Sequence, residues 1–416
     1  MKDSGIEWIG EIPEDWRISA IKNLFNIISG ATPKSDVSEY WDGDIVWITP
    51  SDYKTEDVFV CQGKRNISLP GLNSCSTTII PKHSIIFSKR APIGLVAINE
   101  KELCTNQGCL SCVNVSNQNI KYFYYVMSVC TEQFELIGSG TTFKEISASK
   151  FAQFSVPLPM LGTQQAISYY LDKKCAAVDR LMENQRLQIE KLKEYKQSVI
   201  TEAVTRGLDK TVPLKSSGVE WIGDICKWFE LRRLKEVAQI LDEYRKPITA
   251  DLRNQEADVL YDYYGASGVI DKIDGYTIDD HVMLIGEDGA NLRMRNLPLM
   301  YEVKGKAWIN NHAHILKPNA DMNFYYLFYC LESLDINPYI TGSAQPKLSQ
   351  ENLKNILLPV PPISEQQQIA EYLDTKCAEI DELISIKQQK IEKLTEYKKS
   401  LIYEYVTGKK EVGEGA

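Results

Sequence analysis

TQQAISYYLDKKCAAVDRLMENQRLQIEKLKEYKQSVITEAVTR (residues 163–206) returns later in the chain as EQQQIAEYLDTKCAEIDELISIKQQKIEKLTEYKKSLIYEYVTG (residues 365–408). The match is ungapped: Leu171-Asp172 falls on Leu373-Asp374, Lys174-Cys175-Ala176 on Lys376-Cys377-Ala378, and Ile189-Glu190-Lys191-Leu192 on Ile391-Glu392-Lys393-Leu394. A repeat of this length fixes the architecture before any other feature is weighed. Each copy reads as one long helix with heptad spacing. In the first, Leu171, Val178, Gln185, Leu192 and Val199 form one line, with Ile167, Leu181, Gln188 and Tyr195 as companions. In the second, Leu373, Ile380, Lys387, Leu394 and Leu401 run beside Ile369, Leu383, Lys390 and Tyr397. Sustained heptads with charged outer faces predict a coiled coil. Pro157 and Pro159 precede one helix; Pro359, Pro361 and Pro362 precede the other. Ser364 with Gln367 fits a capping box, and Gly207 and Gly408 mark the ends. About 42 residues at ~1.5 Å each make a rod of roughly 60 Å. Neither helix can bury its stripe alone, so the expected partner of each is the other. The competing arrangement is two helices that each pack only on their own domain.

A second repeat lies upstream of the helices. SGIEWIGEIPEDW (residues 4–16) reappears as SGVEWIGDICKWF from Ser217. The repeated unit is therefore a short lead, a long body and a long helix. The expected divisions are a lead (1–20), a first body (21–158), the central helix (159–207), a linker with the second lead (208–230), a second body (231–359), the C-terminal helix (360–408) and a disordered tail (409–416). The bodies differ in length and share little sequence. Both show strand-like runs separated by Gly, Pro and Asn: DIVWITP, TTIIP, SIIFSKR, IGLVAI and LSCVNV in the first; DVLYDYY, HVMLIGE, LMYEV, KAWIN and HAHILKP in the second. Each then offers a helix, IKYFYYVMSVCTEQFEL (120–136) or MNFYYLFYCLESL (322–334). The segment from Ser139 to Ser147 corresponds to that from Thr341 to Ser349, and each leads into a strand-like Phe154–Pro157 or Ile356–Pro359. The fold class is α+β: two pseudo-repeated α/β domains separated by two long helices that form an antiparallel coiled coil.

Composition bounds the function. The 416 residues have ordinary hydrophobic (44%) and charged (25%) content, enough for two or three domains. No apolar run approaches the ~20 residues of a membrane helix, and the N-terminal stretch lacks a signal-peptide core, so a cytoplasmic protein is expected. The net charge of −9 argues against coating nucleic acid by bulk electrostatics. It leaves room for local basic patches and for affinity shared with a partner. Ten cysteines without a secretory signal read as reduced, mostly buried thiols. Cys104, Cys109 and Cys112 have a C-x4-C-x2-C spacing, but no suitable fourth ligand is evident and the segment alternates like a strand.

These residues support a resemblance. The order of variable body, QQ-x-I-x-x-x-LD helix, variable body and second QQ-x-I-x-x-x-LD helix resembles the specificity subunit of type I restriction-modification enzymes. Gln164-Gln165-Ala166-Ile167 with Leu171-Asp172, and Gln366-Gln367-Gln368-Ile369 with Leu373-Asp374, each behind a P-x-P, carry it. Thr341-Gly342-Ser343-Ala344-Gln345-Pro346-Lys347-Leu348 also looks like the family's domain ending; the first unit departs there, with Thr142-Phe143-Lys144 in place of Gln-Pro-Lys. The resemblance implies that each body is a target recognition domain reading one half of a split duplex DNA sequence. It implies paired helices that hold the two domains apart, two docked methyltransferase subunits, and restriction subunits in the full complex, in a bacterial or archaeal cell. It implies no catalytic residue and no cofactor here, with S-adenosylmethionine, ATP and Mg in partner subunits.

Candidate phosphate contacts are Lys64, Arg65, Lys82, Lys89, Arg90 and Lys144 in the first body. In the second they are Arg232, Arg233, Arg245, Lys246, Arg293, Arg295, Lys304, Lys306 and Lys347. Lys and Arg seat a protein on the backbone, and Arg can also read guanine. Amides suit adenine, which nominates Asn106, Gln107, Asn310, Asn311 and Gln345. Tyr53, Tyr263 and Tyr264 could pack on sugars or thymine methyls. For each of these the bland alternative is a solvated side chain or a turn former.

Enzymatic readings are weaker. Asp288 with Glu302-Val303-Lys304 has the D…E-x-K form of a metal-dependent nuclease, without a counterpart in the first body. Asn337-Pro338-Tyr339 lacks the second proline of an adenine methyltransferase loop, and there is no G-x-x-x-x-G-K-[ST]. His312 and His314 share a strand face with no third ligand evident. The alternative from another class is a non-DNA scaffold, a coiled coil presenting two ligand-binding domains.

Overall fold

The computed structural model describes every residue except Glu56, residues 141–143, Trp221, residues 250–257 and residues 414–416. Thr142 and Phe143 of the departing motif, Trp221 of the second lead and the end of the tail therefore lie outside the described residues. The chain forms two compact units, Met1–Gln185 with Gln389–Ala416, and Arg186–Gln388. The division falls inside both long helices, Leu161–Arg206 and Ile363–Val406. Each unit thus contains one body and a segment of each helix.

The first unit is built on a sheet with strand order Phe25–Ser29, Cys109–Asn114, Ile85–Lys89, Ile93–Asn99, Phe59–Val60. Ile85 and Phe87 face the core shared with the helices, whereas Ile86 faces a second core with Ile48, Ala97 and Cys109. Burial on both faces explains why the strand reads as an unbroken apolar run. A smaller sheet pairs Trp41–Ile48 with Cys104–Thr105 and Arg65–Ile67. TTIIP contributes only a single bridge, Ile80 to Leu103. The helix expected over 120–136 is two, Ile120–Ser128 and Thr131–Ile137. The interruption brings Thr131 against Gly94, where a Cβ would come within 2.9 Å of its side chain.

The second unit repeats the plan with the two sheets joined into one: Ala238–Ile240, Ala313–Pro318, Ile278–Gly286, Met300–Ile309, Tyr261–Gly265, Gly268–Ile273. LMYEV and KAWIN, expected as separate strands, are the two ends of Met300–Ile309. Gly305 lies between them at φ +84°, which glycine adopts without penalty and which keeps the strand continuous. Met283 and Ile285 face the helical core; Val282 and Leu284 face the other.

The helices pair antiparallel inside each unit. In the first unit Tyr170 packs on Tyr405 (ring centroids 4.6 Å), Asp179 bonds Lys398 at 2.6 Å and Met182 accepts from Thr395. In the second unit Gln188 accepts from Lys387 at 2.5 Å and Lys196 bonds Asp381 at 2.6 Å. The two Lys–Asp pairs occupy equivalent positions of the repeat.

One line of the expected seam is correct. Leu171, Val178 and Val199, and Leu373, Ile380 and Leu401, are buried, with Leu192 and Leu394 half-buried. The companion line is shifted by one residue. The true one is Ser168, Cys175, Met182, Ile189, Lys196 and Ala203, matched by Ala370, Cys377, Ile384, Ile391, Lys398 and Tyr405. Leu181, Tyr195, Leu383 and Tyr397 are 49%, 57%, 47% and 54% exposed and do not belong to it. Ile167 and Ile369 are buried beside Leu171 and Leu373, in the cores that the helices share with the bodies. Small and polar residues on the true line hid it from a hydrophobic count, and the Lys–Asp pairs satisfy its charges.

The QQ-x-I-x-x-x-LD motif is the joint between body and helix. The Gln164 Oε1 accepts from Asn119 N (3.0 Å) and its Nε2 donates to Pro159 O (2.9 Å); Gln366 repeats this with Asn323 N (2.8 Å) and Pro361 O (2.9 Å). Asp172 accepts from Tyr125 Oη at 2.8 Å and Asp374 from Tyr329 Oη at 2.7 Å. Tyr122 Oη donates to Val406 O (2.9 Å) and Pro157 O (3.3 Å), as Tyr326 Oη does to Val204 O (3.1 Å) and Pro359 O (2.7 Å). Burial holds both phenols well above the ordinary tyrosine pKa, so they remain donors. Gln367 bonds Asn323 and Glu371 rather than closing a capping box. Gly207 and Gly408 end the helices at φ +75° and +72°. The first tail residues are held, Lys409 by Glu11 O and Lys410 by Glu404.

Candidate nucleic-acid interface

In each unit three loops meet at the end of the central strand. In the first, Lys89 N donates to Gly108 O (2.9 Å), Ile146 N donates to Lys89 O (3.0 Å), and Arg90 forms a bridge with Glu145. In the second, Glu287 N donates to His312 O (2.8 Å), Leu348 N donates to Glu287 O (2.7 Å), and Asp288 forms a bridge with Lys347. Asn106 N donates to Ile48 O (2.9 Å) as Asn310 N does to Tyr264 O (3.1 Å). The backbone hydrogen bonds therefore equate Lys89 with Glu287, Arg90 with Asp288, Asn106-Gln107-Gly108 with Asn310-Asn311-His312, and Glu145 with Lys347.

The side chains at these equivalent places carry opposite charge. Lys89 bonds Glu145 at 2.7 Å, with Arg90 3.4 Å from the same carboxylate. In the second unit Glu287 takes the anionic part, bonded to Arg245 and to Lys347 at 3.0 Å. The hydrogen bond from Lys89 holds the Glu145 carboxyl below its ordinary pKa. Burial alone would raise Glu287, but hydrogen bonds from Arg245 and Lys347 outweigh it, so its pKa is lowered too.

The predicted readers divide into groups. Asn106 and Asn310 are turn formers: each Oδ1 accepts from the backbone N–H two residues on, at 2.8 Å in both. The next residues, Gln107 and Asn311, are exposed at the loop tips, and Gln107 bonds Thr32. Lys144, Gln345 and Lys347 are exposed on the third loop. Lys64 is exposed, 3.5 Å from Ser51, and the neighbouring Pro50 packs on Gly108, so it joins the same face. Arg65 stacks over Trp41 at 4.0 Å. Arg293 is exposed and donates to Gly342 O at 3.2 Å, and Lys246 is exposed beside Trp308, whose indole donates to its carbonyl at 2.8 Å.

Other candidates lie elsewhere. Lys82 precedes the strand that Lys89 ends. Arg295 is a clamp on Glu332 and on Leu334 O, at φ +52°. Arg232 and Arg233 bond Asp321 and Asn355. Arg245 is held by Asp242 and Glu287. Lys304 bonds Glu302 at 3.0 Å, and Lys306 lies over Tyr276. Tyr53 and Tyr263 are both only 2% exposed, so they fill cores instead of meeting a ligand. Tyr264 is half-buried.

The D…E-x-K residues have separate partners: Asp288 bonds His312 at 2.8 Å, while Glu302 bonds His281, Lys304 and Tyr325. Cys104, Cys109 and Cys112 belong to three different cores, and burial pushes the Cys109 thiol up to about 12. His314 is buried between Asp242 (2.7 Å) and Leu348 O (2.8 Å). Sequence reasoning missed the Asp288–His312 pair and Glu145. The correspondence of residues 139–147 with 341–349 already set Glu145 against Lys347, whereas the Asp288–His312 pair required alignment of the two strand ends, which their sequences do not allow.

The family described as type I restriction modification DNA specificity domain matches residues 13–191 and 227–396. A type I restriction enzyme specificity subunit, MjaIX, of Methanocaldococcus jannaschii is 27% identical across 98% of this chain and 96% of its own. The EcoprrI specificity subunit of Escherichia coli is 24% identical over 85% of this chain and 86% of its own. Among solved structures, a chain from work on complex assembly and conformational transition of the type I R-M system superposes with TM-score 0.71 at 15% identity, covering 95% of this chain and 98% of that one, which shows the fold. With two matched segments, each holding one body and most of a long helix, the chain belongs to the type I restriction-modification specificity-subunit family.

Proposed function

We propose that the chain reads a bipartite target in duplex DNA, one half with the three-loop face of each unit. The observation that carries this reading is the recurrence of one backbone constellation with different side chains at its tips. A shared scaffold with altered donors and acceptors is what two different half-sites require. The unbroken course of both long helices supports a second role for them, setting the spacing of the half-sites. Two modules held at a matched distance gain effective concentration without new contacts.

The helices also dock two methyltransferase subunits in this reading. Leu181 and Tyr397 in the first unit, and Leu383 and Tyr195 in the second, are equivalent exposed apolar residues flanking the seam. Repetition of one apolar patch suits two copies of one partner. The methyl donor, ATP and Mg are then bound by partner subunits, with restriction subunits in the full complex, in the cytoplasm. The net charge of −9 agrees with affinity completed by those partners.

The test is a selection of duplexes from a randomised pool by the chain assembled with its methyltransferase partner, at moderate salt. Two short conserved blocks at fixed spacing are expected. Binding without sequence dependence would sink the reading and favour a scaffold that does not recognise DNA.

A further inference from the structure

The second unit carries an anion where the first carries a cation, at the loop face just described. Asp288 stands at the place of Arg90, and His312 at the place of Gly108. The Asp288 Oδ2 lies 2.8 Å from His312 Nδ1, and the two side chains are 36% and 50% exposed. A carboxylate can only accept, so Nδ1 donates this hydrogen bond, and the Asp288 carboxylate, with one oxygen on the ring, keeps further acceptor capacity at the tip. The pair is held by its backbone: Glu287 N bonds His312 O at 2.8 Å and Gly289 N bonds Pro346 O at 3.1 Å. Nearby cations do not neutralise it, since Lys347 and Arg245 are both engaged by Glu287.

Resting on the reading of this face as DNA-binding, we infer that Asp288 and His312 form a base-reading pair for an exocyclic amino group in the major groove. An anionic, acceptor-rich tip is repelled by phosphate oxygens, which are themselves acceptors. It is attracted by a donor on a base edge. In the major groove those donors are cytosine N4 and adenine N6, and guanine and thymine offer acceptors at the corresponding places. The second half-site therefore contains at least one position restricted to cytosine or adenine on the contacted strand. In the first unit, Arg90 with the exposed Lys144 presents donors at the same address, which favours guanine.

The experiment is the selection from randomised duplexes with the assembled complex, repeated with Asp288→Asn and His312→Gln. Asn keeps the shape of Asp and replaces one acceptor oxygen by a donor; Gln at the exposed tip retains polarity without the ring. The expected result is a loss of discrimination of about 5- to 100-fold at one or two adjacent positions of a single half-site. The other half-site should be unchanged. An unaltered consensus in both variants, with thermal unfolding as in the parent, overturns the assignment. Altered discrimination in the half-site read by the first unit, or an equal change in both half-sites, also overturns it. If the parent itself selects no sequence, the DNA-reading role fails, and this inference with it.

Discussion

The two bodies share a scaffold down to individual backbone hydrogen bonds, yet their loop tips are close to electrostatic opposites. Lys89 and Arg90 face Glu145 in one; Glu287 and Asp288 face Lys347 in the other. Parts that meet the helices are the same residues: Gln164 and Gln366, Tyr122 and Tyr326, Asp172 and Asp374. The difference teaches where each constraint acts. Joints must satisfy buried polar groups in one geometry, and leaving one unmatched costs about 1–3 kcal/mol. Loop tips need only keep their backbone bonds, so their side chains are free to diverge.

The strongest way to break this comparison is to exchange bodies. Replacing residues 21–158 with the body of another such subunit is expected to rewrite one half of the selected target completely and leave the other intact. A change in both halves, read by sequencing the selected duplexes, would show that the faces are not independent. Next in size is the seam. Ile189→Ala in the second unit and Ile391→Ala in the first are expected to cost about 2–4 kcal/mol each by denaturant unfolding, because both are buried at equivalent places. Unequal losses would mean that the helix pairing differs between units.

The joint tyrosines come next. Tyr122→Phe and Tyr326→Phe each leave two buried carbonyls without that donor, and about 1–3 kcal/mol should be lost in either case, read from chemical denaturation. A smaller difference separates the units in acid. Both Glu145 and Glu287 have lowered pKa values, so their stabilisation is full above the ordinary value of about 4.3 and is lost as pH falls through the lower folded value. Glu287 is the less exposed, 13% against 36%, so Glu287→Gln should flatten the acid limb of the melting curve more than Glu145→Gln. The smallest effect expected on stability is that of Leu181→Ser or Leu383→Ser, within about 0.5 kcal/mol, with weakened capture of methyltransferase subunits in pull-down as the informative readout.

The repeat was legible in sequence because joints and seam are constrained alike in both halves. The strands buried on two faces were legible as apolar runs. The true companion line of the seam was not, since Ser168, Cys175, Lys196 and Lys398 look less apolar than the exposed Leu181, Tyr195, Leu383 and Tyr397. Short edge strands such as Phe59–Val60 and Ala238–Ile240 carry too few residues to show a period. At the loop face, cations and amides were visible by type, but their partners were not. Arg295 and Tyr263 were misread because burial is decided by segments far away in sequence. Asp288 and His312 acquire meaning only when three loops come together.

The hydrogen bond from Tyr122 to Val406 spans 284 positions, whereas that from Tyr326 to Val204 spans 122 and points backwards along the chain. During synthesis the second unit finds its partner helix already made. The first must wait for the last helix to emerge, roughly 15–60 s at about 5–20 residues per second. Until then the Tyr122 phenol has only Pro157 O as an acceptor, and the apolar flank of the first body around Leu171 and Tyr122 stays open. The N-terminal unit, which includes residues 389–416, is therefore the last to complete its helix pairing.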